Sequence, residues 1–146
     1  MQDAISVNEY RKLKQPKKRA KREESLQIQL ANYMRMKRPD IIFRSDFAAG
    51  IKMSMPQAVK HKRMQHSRAY PDFFIAKPVG INAGLFIELK QSKEGVYLKD
   101  GRLSKDKHIQ EQAEMLRRLT VEGYKAVFAC GIDEAISVVE SYLEGL

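Results

Sequence analysis

The sequence predicts an α/β fold, a single domain with a central mixed β-sheet flanked by helices. Three observations predict it. Short apolar runs alternate with longer stretches whose apolar residues recur at helical spacing. Two of the short runs, 72–76 and 85–90, are separated by a segment holding Pro78 and Gly80, which allows them to form a strand pair. The chain has 146 residues, one domain's worth and enough to bury a single core, with no internal repeat and no linker.

The chain opens on a basic arm, residues 1–21. Residues 11–22 read RKLKQPKKRAKR, broken by Pro16. Such a run is too charged to enter a core and is expected to lie on a partner. The folded domain is expected over 22–146. Its first helix runs from about Arg22 to Lys37, with Leu26, Leu30, Tyr33 and Met34 on one stripe, and Pro39 ends it. Ile41–Arg44 reads as a short strand and residues 47–50 as a turn. Residues 55–68 read as a basic, helical insert.

Asp72–Ala76 reads as a strand stopped by Pro78 and Gly80, and Leu85–Lys90 as the next strand. A polar loop covers 91–105. A helix then runs from about Asp106 to Glu122, closed by Gly123. Lys125–Cys130 is a near-continuous apolar strand of the kind buried in the middle of a sheet. Gly131 breaks it, and the last helix starts near Asp133 as N-cap and ends around Leu143.

Composition narrows the class. There are 27 Lys and Arg against 18 Asp and Glu, a formal net charge of +9. That balance favours a polyanionic partner, nucleic acid ahead of an anionic membrane surface. There is no apolar run long enough to span a membrane, and the first residues lack the apolar core of a signal peptide, so a cytoplasmic location without a membrane partner is expected. The single cysteine, Cys130, excludes a disulfide framework and a multi-cysteine zinc site. Its apolar surroundings predict a small buried side chain in a reducing compartment.

The chemistry concentrates on the strand pair. Glu88 and Lys90 are two apart on a strand and so project to the same face. Both interrupt an apolar segment, where a charge is costly unless paired or metal-bound. Asp72, at the start of the preceding strand, can join them if the pairing brings it close. Two carboxylates and a lysine suit hydrolysis of a phosphodiester. Hard oxygen ligands hold Mg²⁺, and a lysine orients water or offsets charge on the phosphate. Taken singly, each motif also fits an ordinary surface charge on a hairpin.

Two helical residues add to the set. Glu23 lies three before Leu26 and seven before Leu30, on the core stripe, while Glu24 is turned away. On the later helix Ile109, Ala113, Leu116 and Thr120 mark the inner stripe. Gln112 falls on its edge and Gln110 points outward.

On these residues the sequence resembles the stand-alone, phage-type members of the VRR-NUC group within the PD-(D/E)XK nuclease superfamily. The resemblance runs from about Glu23 to the end of the chain. It rests on Glu23-x-x-Leu26-Gln27, Pro71-Asp72, Glu88-Leu89-Lys90, and Gln112 followed by Met115, Leu116, Leu119 and Gly123-Tyr124. Tyr70 departs from the small or β-branched residue expected before Pro-Asp, at a position expected to lie outside the chemistry. The resemblance implies a restriction-endonuclease-like core and a structure-selective, Mg²⁺- or Mn²⁺-dependent DNA endonuclease. It further implies action on Holliday junctions or other branched DNA, as a homodimer, in a bacterial or phage-infected cell. By the same resemblance Asp72, Glu88 and the backbone carbonyl of Leu89 are metal ligands. Glu23 completes the metal shell, Lys90 addresses the attacking water or scissile phosphate, and Gln112 supports the site.

The basic insert is the expected DNA contact, through Lys52, Lys60, Lys62, Arg63 and Arg68. Contacts of this kind give affinity without sequence readout. Competing readings are a flap or nicking nuclease of similar chemistry, and a basic DNA-binding domain without catalysis. An RNA-binding domain would need a recognisable reading module, and the sequence holds none.

Overall fold

The computed structural model describes residues 19–46 and 52–146, with side chains in the first helix described from Leu26 onward. In chain order the elements are α1 (Arg19–Lys37), β1 (Phe43–Ser45), α2 (Met55–Arg63), β2 (Phe73–Ile75), β3 (Leu85–Lys90), α3 (Lys107–Val121), β4 (Lys125–Cys130) and α4 (Ile132–Leu143). The sheet order is β1-β2-β3-β4. β1–β2 and β2–β3 pair antiparallel, and β3–β4 pair parallel, so the expected mixed sheet is present.

Helices cover both faces. On one face Leu26, Leu30 and Met34 of α1 and Ala135, Val139 and Tyr142 of α4 pack on Phe73, Ile75, Leu85, Ile87, Leu89 and Ala129. Each fully buried aliphatic or aromatic side chain here contributes about 1.5–3 kcal/mol from removal of apolar surface from water. The other face carries Phe74, Phe86 and Tyr124 at one end, in stacked and edge-on contact. Buried Ile109, Met115 and Leu116 of α3 pack along this side. Capping fixes the start of α3, where the Asp106 carboxylate accepts from the N–H groups of His108 and Ile109 at 2.9 and 3.1 Å. Gly123, at φ +100°, closes it in the left-handed region that favours glycine.

Several boundaries differ from the expected ones. α1 begins at Arg19, inside the segment read as a basic arm, and residues 1–18 lie outside the described residues, as does the expected turn at 47–50. β1 is shifted to Phe43–Ser45, and α2 stops at Arg63 instead of running to residue 68. None of its residues is buried, and its last turn (Lys60, His61, Lys62, Arg63) crowds basic side chains together with no packing to offset their repulsion. α4 takes Gly131 as its N-cap, which places Asp133 inside the first turn.

The larger correction concerns β4. Among the described residues it is an edge strand, half-buried along most of its length, while the strand buried throughout is β3. Its apolar run is explained by helices: α3 and α4 pack on it from the two faces, so an edge position still calls for apolar side chains. Cys130 at its end is accordingly only half-buried, not enclosed as expected. Burial and nearby Glu134 still hold its thiol above the usual range.

Candidate active site

The site grows out of the β2–β3 register. Phe73 pairs with Ile87 and Phe74 with Phe86 in an antiparallel ladder. Continuing that register by one residue sets Asp72 across from Glu88, on the same face of the sheet. The Asp72 side chain turns onto the neighbouring strand, where its Oδ2 accepts from the Leu89 N–H at 3.0 Å. One further step along the ladder reaches Pro71, which would lie opposite Leu89. Proline has no N–H to give the Leu89 carbonyl. The Pro71-Asp72 pair therefore does two things: it withholds a ladder donor from that carbonyl, and it supplies a carboxylate to the adjacent N–H.

Glu88 and Lys90 project together, as period-two alternation requires. Their charged ends lie 3.8 Å apart, with side chains only 5% and 6% exposed. An ion pair this buried is costly unless further hydrogen bonds complete it. Gln112 provides one. From α3 its Nε2 donates to Glu88 Oε1 at 2.7 Å. The expected boundary position of Gln112 is deeper than foreseen, at 4% exposure, and its own Oε1 has no hydrogen-bond partner. A buried carbonyl oxygen without a donor is a standing cost of about 1–3 kcal/mol.

These groups floor a cleft of about 910 Å³ whose walls include Asp46, Gln65, Arg68, Tyr70, Ser104 and His108. Asp72, Glu88, Lys90 and Gln112 are thus brought together. Glu23 lies on α1, but its side chain is outside the described residues. Lys60, Lys62 and Arg63 are exposed on α2, and Lys52 is exposed before it. Arg68 is at the cleft wall, held by Glu111 through Nε at 2.9 Å and the guanidinium at 2.8 Å.

Sequence reasoning missed two wall residues. Tyr70 borders the cleft, edge-on to Phe86 at 5.7 Å, so its position is not remote from the site. Burial, with Tyr124 nearby, holds its phenol above the usual range. Asp46 continues the row of carboxylates: its N–H donates to the Asp72 carbonyl at 2.8 Å, and the β1–β2 register places it beside Asp72. Its carboxylate pairs with His61 of α2 at 3.9 Å. Only the register of a three-residue strand reveals Asp46, and no sequence pattern fixes that register.

Among the described residues no three His, Cys, Asp or Glu side chains are grouped as a metal cage. The donor set instead consists of two carboxylates, the Leu89 carbonyl and the orphaned Gln112 oxygen. That is an all-oxygen set with few protein ligands, which fits a hard divalent cation that keeps most of its waters. Asp72, Glu88 and Lys90 thus lie together at one end of a mixed sheet flanked by helices, the α/β architecture expected from the sequence.

A solved structure described as "VRR_NUC domain protein" matches with a TM-score of 0.61 and 28% identity, covering 84% of this chain and 88% of that one. Over most of the length of both, this chain is therefore similar to a VRR-NUC domain. No family model and no curated protein matches it.

Proposed function

We propose that the protein is a structure-selective, Mg²⁺- or Mn²⁺-dependent DNA endonuclease that hydrolyses phosphodiester bonds at branched DNA, four-way junctions first. The observation that carries this reading is the facing of Asp72 and Glu88 across β2 and β3, with Lys90 on the same cleft floor. The likeness to a VRR-NUC domain protein supports it.

In this reading Asp72, Glu88 and the Leu89 carbonyl hold the cation, with Glu23 from α1 completing its shell. When bound, the cation supplies an acidified water and neutralises charge on the phosphate. The Leu89 N–H keeps the Asp72 carboxylate turned toward β3, and Gln112 Nε2 fixes Glu88 from α3. Lys90 Nζ donates a hydrogen bond to the attacking water or to a phosphate oxygen and offsets the charge that develops there. α2 grips the DNA backbone through Lys52, Lys60, Lys62 and Arg63, together with Arg68 at the cleft wall.

Symmetric cutting of a four-way junction needs two sites, which a C₂ homodimer supplies. The fitting test incubates the protein with four-way junctions, flaps, splayed arms and linear duplex, each with Mg²⁺, Mn²⁺ or EDTA, alongside light scattering on the free and DNA-bound protein. Metal-dependent cuts at the branch by a dimer support junction resolution. Cutting of flaps by a monomer of 16.8 kDa supports the second reading, a flap or nicking nuclease, which a second groove of about 560 Å³ that shares Arg68 with the cleft favours. A protein that binds every shape and cuts none would be a DNA-binding domain without catalysis.

A further inference from the structure

Beside the cleft lies a second groove of about 560 Å³, and Arg68 borders both. Its floor includes buried Ala69 and Met115. Its long side is a stripe of α3, Lys107, Glu111, Glu114 and Arg118, spaced so that all four share one helix face. The two acids on that stripe are already engaged. Glu111 holds Arg68, and Glu114 is held by Arg117 through two bonds of 2.9 and 2.7 Å. Lys107 and Arg118 form no ion pair among the described residues. Eleven residues separate them, about 16 Å along the helix axis.

The groove therefore offers an apolar floor between two cations that form no ion pair among the described residues, continuous with the cleft at Arg68. Duplex DNA has little use for such a floor, because its bases are stacked inside and only its backbone meets a protein surface. An unpaired strand presents both groups, phosphates for the cations and base faces for the aliphatic stems of the exposed Lys107 and Arg118 side chains. We propose that this groove binds the unpaired DNA strand that leaves a branch point next to the cleft floor. The proposal rests on the nuclease reading for its choice of polyanion, and it adds a binding site to that reading.

The test is fluorescence anisotropy in EDTA, where no strand is cut. It compares a duplex with the same duplex carrying a single-stranded flap of about ten nucleotides. Wild-type protein binds the flapped form more tightly. Lys107→Ala/Arg118→Ala loses about tenfold in affinity for the flapped form and less than about twofold for the duplex. Its slope of log affinity against log salt on the flapped form flattens by about 1.4, the value for two single-strand phosphate contacts. Both positions are exposed and helical, and alanine favours helix there, so folding is retained. Lys77→Ala/Lys125→Ala removes the same charge at the opposite end of the sheet and weakens both forms equally.

Equal binding of the two forms by wild type, or equal loss on both by Lys107→Ala/Arg118→Ala, overturns the proposal. Cutting of the flapped DNA in Mg²⁺ is scored separately. Cutting without flap preference in binding sinks the groove alone, and flap preference without any cutting sinks the nuclease reading alone.

Discussion

Gln112 and Glu88, 24 residues apart in sequence, meet at 2.7 Å between Nε2 and Oε1, and the amide's other end, Oε1, is buried without a partner. A glutamine needed only to satisfy a buried glutamate would be expected to satisfy itself as well. The orphaned oxygen and the buried Glu88 carboxylate lie on one cleft floor, where a cation with its bound waters would give that oxygen a partner.

From this contact comes the first prediction. Gln112→Met keeps the volume and removes the amide. It should raise the Mg²⁺ concentration giving half-maximal single-turnover cleavage by about 10–100-fold, as loss of a group orienting a metal ligand does. DNA affinity in EDTA should stay near wild type. A variant that loses thermal stability but keeps the wild-type Mg²⁺ midpoint would make Gln112 a packing residue only.

Lys90 should separate from the carboxylates in its effect. Lys90→Ala should lower the single-turnover rate by about two to four decades, the range for a group that transfers a proton or offsets developing charge. The Mg²⁺ midpoint should move little, because an ammonium is not a ligand. A change confined to DNA affinity would reassign Lys90 as a phosphate contact.

Gly84 tests the β2–β3 packing that aligns the site. A Cβ at this position would lie 2.9 Å from the Ile75 carbonyl and 2.8 Å from the Phe74 ring. The carbonyl is backbone and cannot step aside cheaply. Gly84→Ala should therefore cost about 1–3 kcal/mol in urea unfolding, the range for overpacking. Unchanged stability would mean that β2 and β3 are farther apart at this end.

Glu140 ties α4 to α1, accepting from Tyr33 Oη at 2.7 Å and from the Arg38 guanidinium. Arg38 in particular holds the Glu140 carboxyl below the usual range. A depressed carboxylate stabilises the fold at pH above its unfolded value, and the contribution is lost as pH falls through the folded value. Glu140→Gln should lower the melting temperature at pH 7, and the gap to wild type should close on acidification below the ordinary glutamate range. A gap that is constant with pH would point to packing instead of charge. Burial, together with the hydrogen bond to Glu140, pushes the Tyr33 phenol up to about 12, so it stays protonated and donating throughout this range.

Much of the site was legible because it depends on short periods. Glu88 and Lys90 share a face by strand alternation, and Gln112 turns inward by helical phase, so three residues far apart in sequence could be placed on one surface. The depth of Gln112 was not legible, because a stripe edge in sequence becomes interior when a strand as buried as β3 lies beneath it. Asp46 was missed for a different reason. Its membership of the row follows from the register of a three-residue strand, and neither a hydrophobic alternation nor a tight turn specifies that register. The β4 run misled because cover by helices on two faces makes an edge strand as apolar as a central one.

The most direct measurement is strand cleavage of branched DNA in Mg²⁺ by wild type, Asp72→Asn and Glu88→Gln, with binding measured in parallel. Both substitutions keep the shape and an oxygen able to accept from the Leu89 N–H or from Gln112, and each removes one negative oxygen ligand. Neither touches the exposed cations of α2. Cleavage should therefore vanish in both variants while DNA binding stays at or slightly above wild type. Cleavage at the wild-type rate in either variant would contradict an active centre built on Asp72 and Glu88.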